Sequence, residues 1–216
     1  MMNKIVKLSA VALLASSTSL MAQTKSFEGA SIGIFGGAIG AEADGTVTGT
    51  ATGGSGSLGK VSGIAGIDLA YGFAGGAFAV GATYVPMKAK FGTGSGNDTT
   101  SGTSITGELK DHYTIYVQPT YVVNKDAALF AKLAYAHADI STKNTTTASS
   151  DVEGWGYGVG LKTFLTPNTF VQVEGMYTDY DSIAGTKRSV GGDGSTTRVN
   201  ADLKTVQALI TLGYKF

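Results

Sequence analysis

The sequence predicts an all-β fold in which eight antiparallel strands run up and down and close into a barrel. Three observations carry this. Apolar or aromatic residues recur at every second place along the chain, the period of a strand with two unlike faces. Short and long connections between these runs alternate strictly. Gly is abundant, with 32 residues, while Pro is scarce at 3 and Cys is absent.

The composition removes several alternatives. Hydrophobic residues make up 43% of the chain, too many for a disordered polymer that cannot offset its ordering entropy by burial. Lys and Arg number 16 and Asp and Glu also 16, so no overall field favours nucleic acid. Without Cys there is no disulfide framework, thiolate metal site or Cys nucleophile. Only His112 and His137 remain as imidazoles.

Residues 1–22 read as a signal peptide. Lys4 and Lys7 make a basic start, Leu8 to Ala15 a short apolar core, and Ser16 to Ala22 a small, polar exit, with cleavage expected near Ala22. The apolar core is too short to span a bilayer. The expected domain organisation is therefore 1–22 as exported leader and 23–216 as barrel, with no further domain after the last strand.

The predicted strands are 27–40, 59–71, 77–90, 108–123, 127–140, 153–165, 169–181 and 199–216. In the fourth, Tyr113, Ile115, Val117, Pro119 and Tyr121 alternate with His112, Thr114, Tyr116, Gln118 and Thr120. In the sixth, Tyr157, Val159 and Leu161 alternate with Gly156, Gly158, Gly160 and Lys162. In the last, Val206, Ala208, Ile210, Leu212, Tyr214 and Phe216 form the apolar set. Pro86 and Pro119 cannot donate to a ladder, so they mark bulges or places where pairing stops. Residues 72–76, 124–126 and 166–168 are short and rich in turn formers. The stretches 41–58, 91–107, 141–152 and 182–198 are polar and are expected to be long loops.

An even strand number, short turns at one end, long loops at the other and one apolar face are the pattern of a transmembrane barrel. Each run reaches the roughly 9–11 residues that a spanning strand needs. Aromatics gather near strand ends at Tyr71, Tyr84, Tyr121, Trp155, Tyr177, Tyr214 and Phe216, where rings meet a membrane interface. With the leader, this places the protein in the cell outer membrane, in contact with outer-membrane lipid.

If the apolar set faces lipid, then Asp68, Lys110, His112, Lys132, Lys162, Gln172, Glu174, Gln207 and Lys215 face the lumen. Eight strands enclose an interior that side chains just fill. A polar network is therefore expected, with Lys132 or Lys162 paired to Glu174 or Asp68. Catalysis would need a nucleophile, base and orienting group within reach. His137, Asp139 and Ser141 are the nearest approach to such a set, and an enzyme is not expected. Asp179, Asp181 and Asp193 lack calcium-loop spacing, and no Gly-rich stretch opens a helix as a phosphate cradle must. No metal or cofactor is expected.

The run Asp111-His112-Tyr113-Thr114-Ile115-Tyr116-Val117-Gln118-Pro119-Thr120-Tyr121 and the run Leu129-Phe130-Ala131-Lys132-Leu133-Ala134-Tyr135 resemble the small bacterial outer-membrane β-barrel family. That family includes opacity-type and porin-like proteins and the barrel of outer membrane protein A. The ending Ile210-Thr211-Leu212-Gly213-Tyr214-Lys215-Phe216 is similar to its C-terminal assembly signal, with Tyr214 and Phe216 as the residues that carry it. The resemblance implies periplasmic chaperones and the barrel-assembly machinery as partners. The family's roles range from structural tether to adhesin to small pore; the role expected here is non-catalytic, structural or surface-interacting, with a small-solute or ion channel and a loop-mediated adhesin as alternatives. Deleting Phe216 is expected to lower the outer-membrane level of the protein while signal cleavage continues. Fractionation and immunoblotting check this, and a wild-type level and rate of accumulation would contradict it.

Overall fold

The computed structural model describes residues 25–48, 54–95, 104–143, 150–184, 188–189 and 196–216. The predicted signal peptide, 1–22, lies outside them. A short 3-10 turn, Lys25–Phe27, precedes β1 (Gly29–Thr48), β2 (Gly54–Phe73), β3 (Phe78–Val85) and β4 (Ala89–Ser95). Then follow β5 (Ser104–Val122), β6 (Ala127–Lys143), β7 (Ser150–Phe164), β8 (Thr169–Tyr180), the two-residue β9 (Ile183–Ala184) and β10 (Arg188–Ser189), and β11 (Thr196–Lys215).

Eight antiparallel walls form one sheet in the order β1-β2-β3-β5-β6-β7-β8-β11, with β4 prolonging the wall begun by β3. Pairing of β1 with β11, from Ser31 opposite Lys215 to Thr48 opposite Arg198, closes the barrel. Closure joins the first and last walls, the condition for placing a ladder in hydrocarbon, where an unpaired N–H or C=O costs several kcal/mol; above Ile67, β2 has no described ladder on its β4 side. The last residue joins in: the Phe216 N–H donates to the Ala30 carbonyl at 2.9 Å.

The short connections all lie at one end. The Asn124 side-chain oxygen accepts from the Asp126 and Ala127 N–H groups at 2.9 Å each. The Thr166 hydroxyl accepts from the Thr169 N–H at 3.0 Å. Both are side-chain turns that replace ladder bonds where the chain reverses. At 74–76, Gly75 and Gly76 have φ of 65° and 87°, a conformation open to glycine without Cβ strain.

Burial alternates as the sequence pattern requires. On β5, His112, Thr114, Tyr116 and Gln118 are buried and Tyr113, Ile115 and Val117 exposed. On β7, Trp155, Tyr157, Val159 and Leu161 face out, with Val159 67% exposed. The exposed band is bounded by two aromatic rims. Tyr71, Phe73, Phe78, Tyr121, Tyr214 and Phe216 lie towards the short turns; Tyr84, Tyr113, Trp155, Tyr157 and Tyr177 lie towards the other end. From Trp155 to Leu165 is ten steps of about 3.4 Å, which at a barrel tilt of about 40–45° gives roughly 25 Å, the height of an outer-membrane apolar band.

Three expectations need correction. The described parts of the stretches expected to be loops are largely strand, the remainder (49–53, 96–103, 144–149, 185–187 and 190–195) lying outside the described residues: β1 and β2 continue their ladder to Val47 opposite Gly54. Gly and Ser lack the side-chain signal of a strand, but β2 and β11 flank β1 and pair with it on both sides. Next, Lys110 does not point into the lumen. The register shifts between Lys110 and Tyr113, at Asp111 with φ of 47°. The extra residue turns the alternation over, so Lys110 stands opposite Asp139 on the outer face. Lastly, the predicted strand 77–90 is not continuous: it stops before Pro86, the place expected to interrupt pairing, and resumes only at Ala89.

With Val159 at mid-band, Val159→Arg is expected to cost about 2–4 kcal/mol in lipid, and Val159→Leu less than about 0.5 kcal/mol. Urea midpoints in liposomes check this; equal midpoints for the Arg and Leu variants would reverse the assigned faces.

Candidate functional site: a charged belt across the lumen

The described lumen has three layers. At the turn end, Phe27, Val122, Ala128, Phe164 and Phe170 form an apolar plug, with Phe164 edge-on to Phe27 and Phe170. Above it lies a polar belt. Towards the far end a second apolar cluster contains Phe35, Ile39, Ile64, Val85, Ala136, Ile140, Val152, Tyr180, Leu203 and Leu209. The upper lumen is thus apolar in large part, where the sequence led us to expect polar residues.

The belt centres on Lys132 and Glu174. The Lys132 ammonium donates to Glu174 Oε2 at 2.5 Å, and both side chains are 3% exposed. Gln172 Nε2 donates to the same oxygen at 3.2 Å. The ammonium also lies 4.1 Å from the centre of the Tyr116 ring, while the Tyr116 hydroxyl donates to Asp68 Oδ1 at 2.7 Å. A chain Asp68–Tyr116–Lys132–Glu174–Gln172 therefore crosses the interior. It alternates charge and donor so that each charged group has a partner, as burial demands.

Lys132 sits on β6 and Glu174 on β8, so β7 lies between them. They meet because β7 offers no side chain there: Lys132 is opposite Gly158, and Glu174 opposite Gly160. A Cβ on Gly158 would stand 3.4 Å from Lys132 Cβ and 3.5 Å from Glu174 Oε1. The glycine at every second place in 154–160 is the gap that the ion pair bridges.

The other predicted lumen residues fall around this chain. Lys162 is half-buried and lies over Phe170, its ammonium 3.7 Å from the ring centre. It makes no ion pair within 4.0 Å among the described residues. His112 and Gln207 are buried in the upper lumen away from the belt, and Lys215 lies half-buried near the turn end. Tyr116, the hinge between the two carboxylates, was not among the charged and amide residues singled out. Its place on the inward face of β5 was the available signal.

On the outer face, His137, Asp139 and Asp151 offer three ligand atoms within 4.8 Å of one another. His137 Nε2 lies 3.6 Å from Asp139 Oδ1, and its ring stacks on Tyr113 at 4.9 Å. This group sits beyond the upper aromatic rim, remote from the lumen.

The model of the outer membrane protein beta-barrel domain matches residues 10–216. The chain belongs to that family. It is accordingly an integral protein of the cell outer membrane, with its apolar face in lipid. No curated protein matches its sequence. Among solved structures, OprG from Pseudomonas aeruginosa superposes with a TM-score of 0.62 at 14% identity, over 89% of this chain and 98% of that one. Ail of Yersinia pestis, solved with the heparin analogue sucrose octasulfate, gives 0.44 at 18% identity, over 87% and 99%. The outer membrane protease OmpT of Escherichia coli gives 0.45 at 10%, over 88% and 97%. At 14% identity the likeness to OprG is one of fold.

Glu174→Leu strips a buried ammonium of its counter-charge and is expected to destabilise the barrel by about 3–5 kcal/mol, whereas Lys132→Met with Glu174→Leu should recover most of the loss. Urea unfolding of the two variants and the remaining single mutant checks the coupling. Additive effects would mean that the belt is not held by this pair.

Proposed function

We propose that this outer-membrane β-barrel has a non-catalytic structural and surface-interaction role, with its axis closed to solutes. The observation that carries this reading is the Lys132–Glu174 pair, 3% exposed at mid-lumen and backed by the Phe27–Phe164–Phe170 plug. Separating the pair to admit a solute would leave two charges in a dry interior. Barrel size agrees, since eight strands leave room for side chains and water channels are built from 16 to 18.

Such a barrel presents its far end to the outside. β1, β2 and β11 each run 20 residues, about twice what spanning requires. The excess continues the paired walls past the upper aromatic rim as a β-sheet stalk. A surface partner would meet that stalk and the segments at its tip. Assembly would depend on periplasmic chaperones and the barrel-assembly machinery reading Tyr214 and Phe216.

A second reading rests on a different observation. β2 pairs with β3 only from Ile67 to Phe73, and β4 pairs with β5 but forms no described ladder with β2. The upper wall therefore has a seam without ladder bonds beside the apolar cluster that contains Ile64 and Val85. This favours an apolar small molecule passing sideways at the outer membrane interface over an ion moving along the axis.

Planar-bilayer recording and liposome uptake separate the two. The closed reading expects no conductance steps and no uptake of hydrophilic or apolar probes above protein-free vesicles. Apolar uptake alone, abolished by a disulfide engineered between β2 and β4, would favour the lateral route. Stepwise ion conductance would overturn the closed axis.

A further inference from the structure

His137, Asp139, Asp151 and Glu153 form a two-by-two block on the outer face of the barrel. The β6–β7 register sets His137 opposite Glu153 and Asp139 opposite Asp151, and the alternation turns all four side chains outward. Asp139 and Asp151 stand past the upper aromatic rim, in water rather than hydrocarbon. Glu153 interacts with the Tyr135 hydroxyl. That leaves one imidazole and two carboxylates, whose ligand atoms all lie within 4.8 Å of one another.

Two observations set this trio apart from a solvated acidic edge. The first is a spacing: His137 Nε2 and Asp139 Oδ1 are 3.6 Å apart, too far for a hydrogen bond. Two ligands on one tetrahedral ion, with bonds of about 2.0–2.2 Å, stand roughly 3.3–3.6 Å apart. The second is a clash of charge. Asp139 and Asp151 are directly opposite across the ladder, which costs stability unless a cation neutralises them. Lys110 is cross-strand to Asp139 on its other side, and no ion pair within 4.0 Å joins the two among the described residues. The imidazole is also held in place, its ring stacked on Tyr113 with centroids 4.9 Å and planes 25° apart. Asp151 is exposed, so rotation of its side chain can bring the third oxygen onto an ion.

We propose that His137 Nε2 and the carboxylates of Asp139 and Asp151 form a binding site for one divalent metal ion of zinc type. One nitrogen and two oxygens suit zinc, whereas calcium takes six to eight oxygens. Three protein ligands leave a further position on the ion to water or to an outside donor. The ion would cancel the opposed carboxylates and tie β6 to β7 where the wall passes from membrane to water. No spacing along the chain announces the set, because its ligands come from two strands and meet only through their register. The site is independent of whether the lumen conducts.

The test uses the full chain, without an affinity tag, folded in detergent and stripped with a chelator. Equilibrium dialysis against zinc chloride, with metal counted by mass spectrometry, should give one zinc per chain. His137→Gln and Asp151→Asn should each weaken binding by more than the roughly 10–100-fold that losing a hydrogen bond behind a ligand costs a metal site. Asp179→Asn removes an outward carboxylate on the neighbouring β8 and should leave zinc affinity unchanged. Crystals soaked in zinc should show an anomalous peak between His137 Nε2 and the two carboxylates. Should either ligand variant fail to fold, the wild-type stoichiometry and peak decide. Absence of stoichiometric zinc would overturn the site, as would binding that survives both ligand substitutions. So would displacement of zinc by equimolar calcium, which would mark a general attraction of cations to acidic side chains.

Discussion

The ladder between β1 and β11 is the constraint on which the remainder of this molecule depends. A strand in hydrocarbon has no water to satisfy its N–H and C=O groups, so a sheet there must have no free edge. Pairing from Ser31–Lys215 to Thr48–Arg198 meets that condition where the first and last strands join. Once the sheet is closed, the period-two pattern has one solution. Ile34, Ile115, Val159 and Ile210 meet lipid, and the opposite parity is enclosed. The polar belt, the apolar plug and the aromatic rims all follow from which parity was enclosed.

Enclosure then sets its own problem, because a narrow lumen has room for side chains but little water. The solution is layered. Aromatic rings fill the turn end, an ion pair with tyrosine and glutamine partners fills the middle, and branched and small apolar residues fill the upper part. Salt bridges buried in this way are weak evidence for stability, because desolvation offsets much of the attraction. Their effect here is geometric. Lys132 and Glu174 join two strands that share no ladder, across the glycines of the strand between them, and so stiffen the barrel across its interior rather than around its wall.

Most of the fold was legible because strand alternation survives in sequence wherever one face is buried. The faces of β5, β7 and β11 followed directly from it. Three features were not legible, each for a physical reason. The continuation of β1 and β2 through Gly- and Ser-rich sequence depends on partners from other strands, so local composition hides it. The inversion at Lys110 comes from a single extra residue at Asp111, and a one-residue shift moves every side chain beyond it to the other face. The specific pairing of Lys132 with Glu174 depends on two successive registers, β6 with β7 and β7 with β8. The sequence narrowed the partners to a few charged residues, and the glycine column at 154–160 was the clue to which of them could meet.

Amide hydrogen exchange of the full chain in lipid bilayers tests closure most directly. If β1 and β11 seal the barrel, the amides of residues 32–40 and 206–212 should be protected as strongly as those of residues 129–135, where β6 pairs with β7 on an interior seam. Residues 89–95, which have a ladder partner on one side, should exchange faster. Rapid exchange along 32–40 and 206–212 against a protected β6–β7 seam would show an open sheet, and the account of faces, belt and lumen would fall with it.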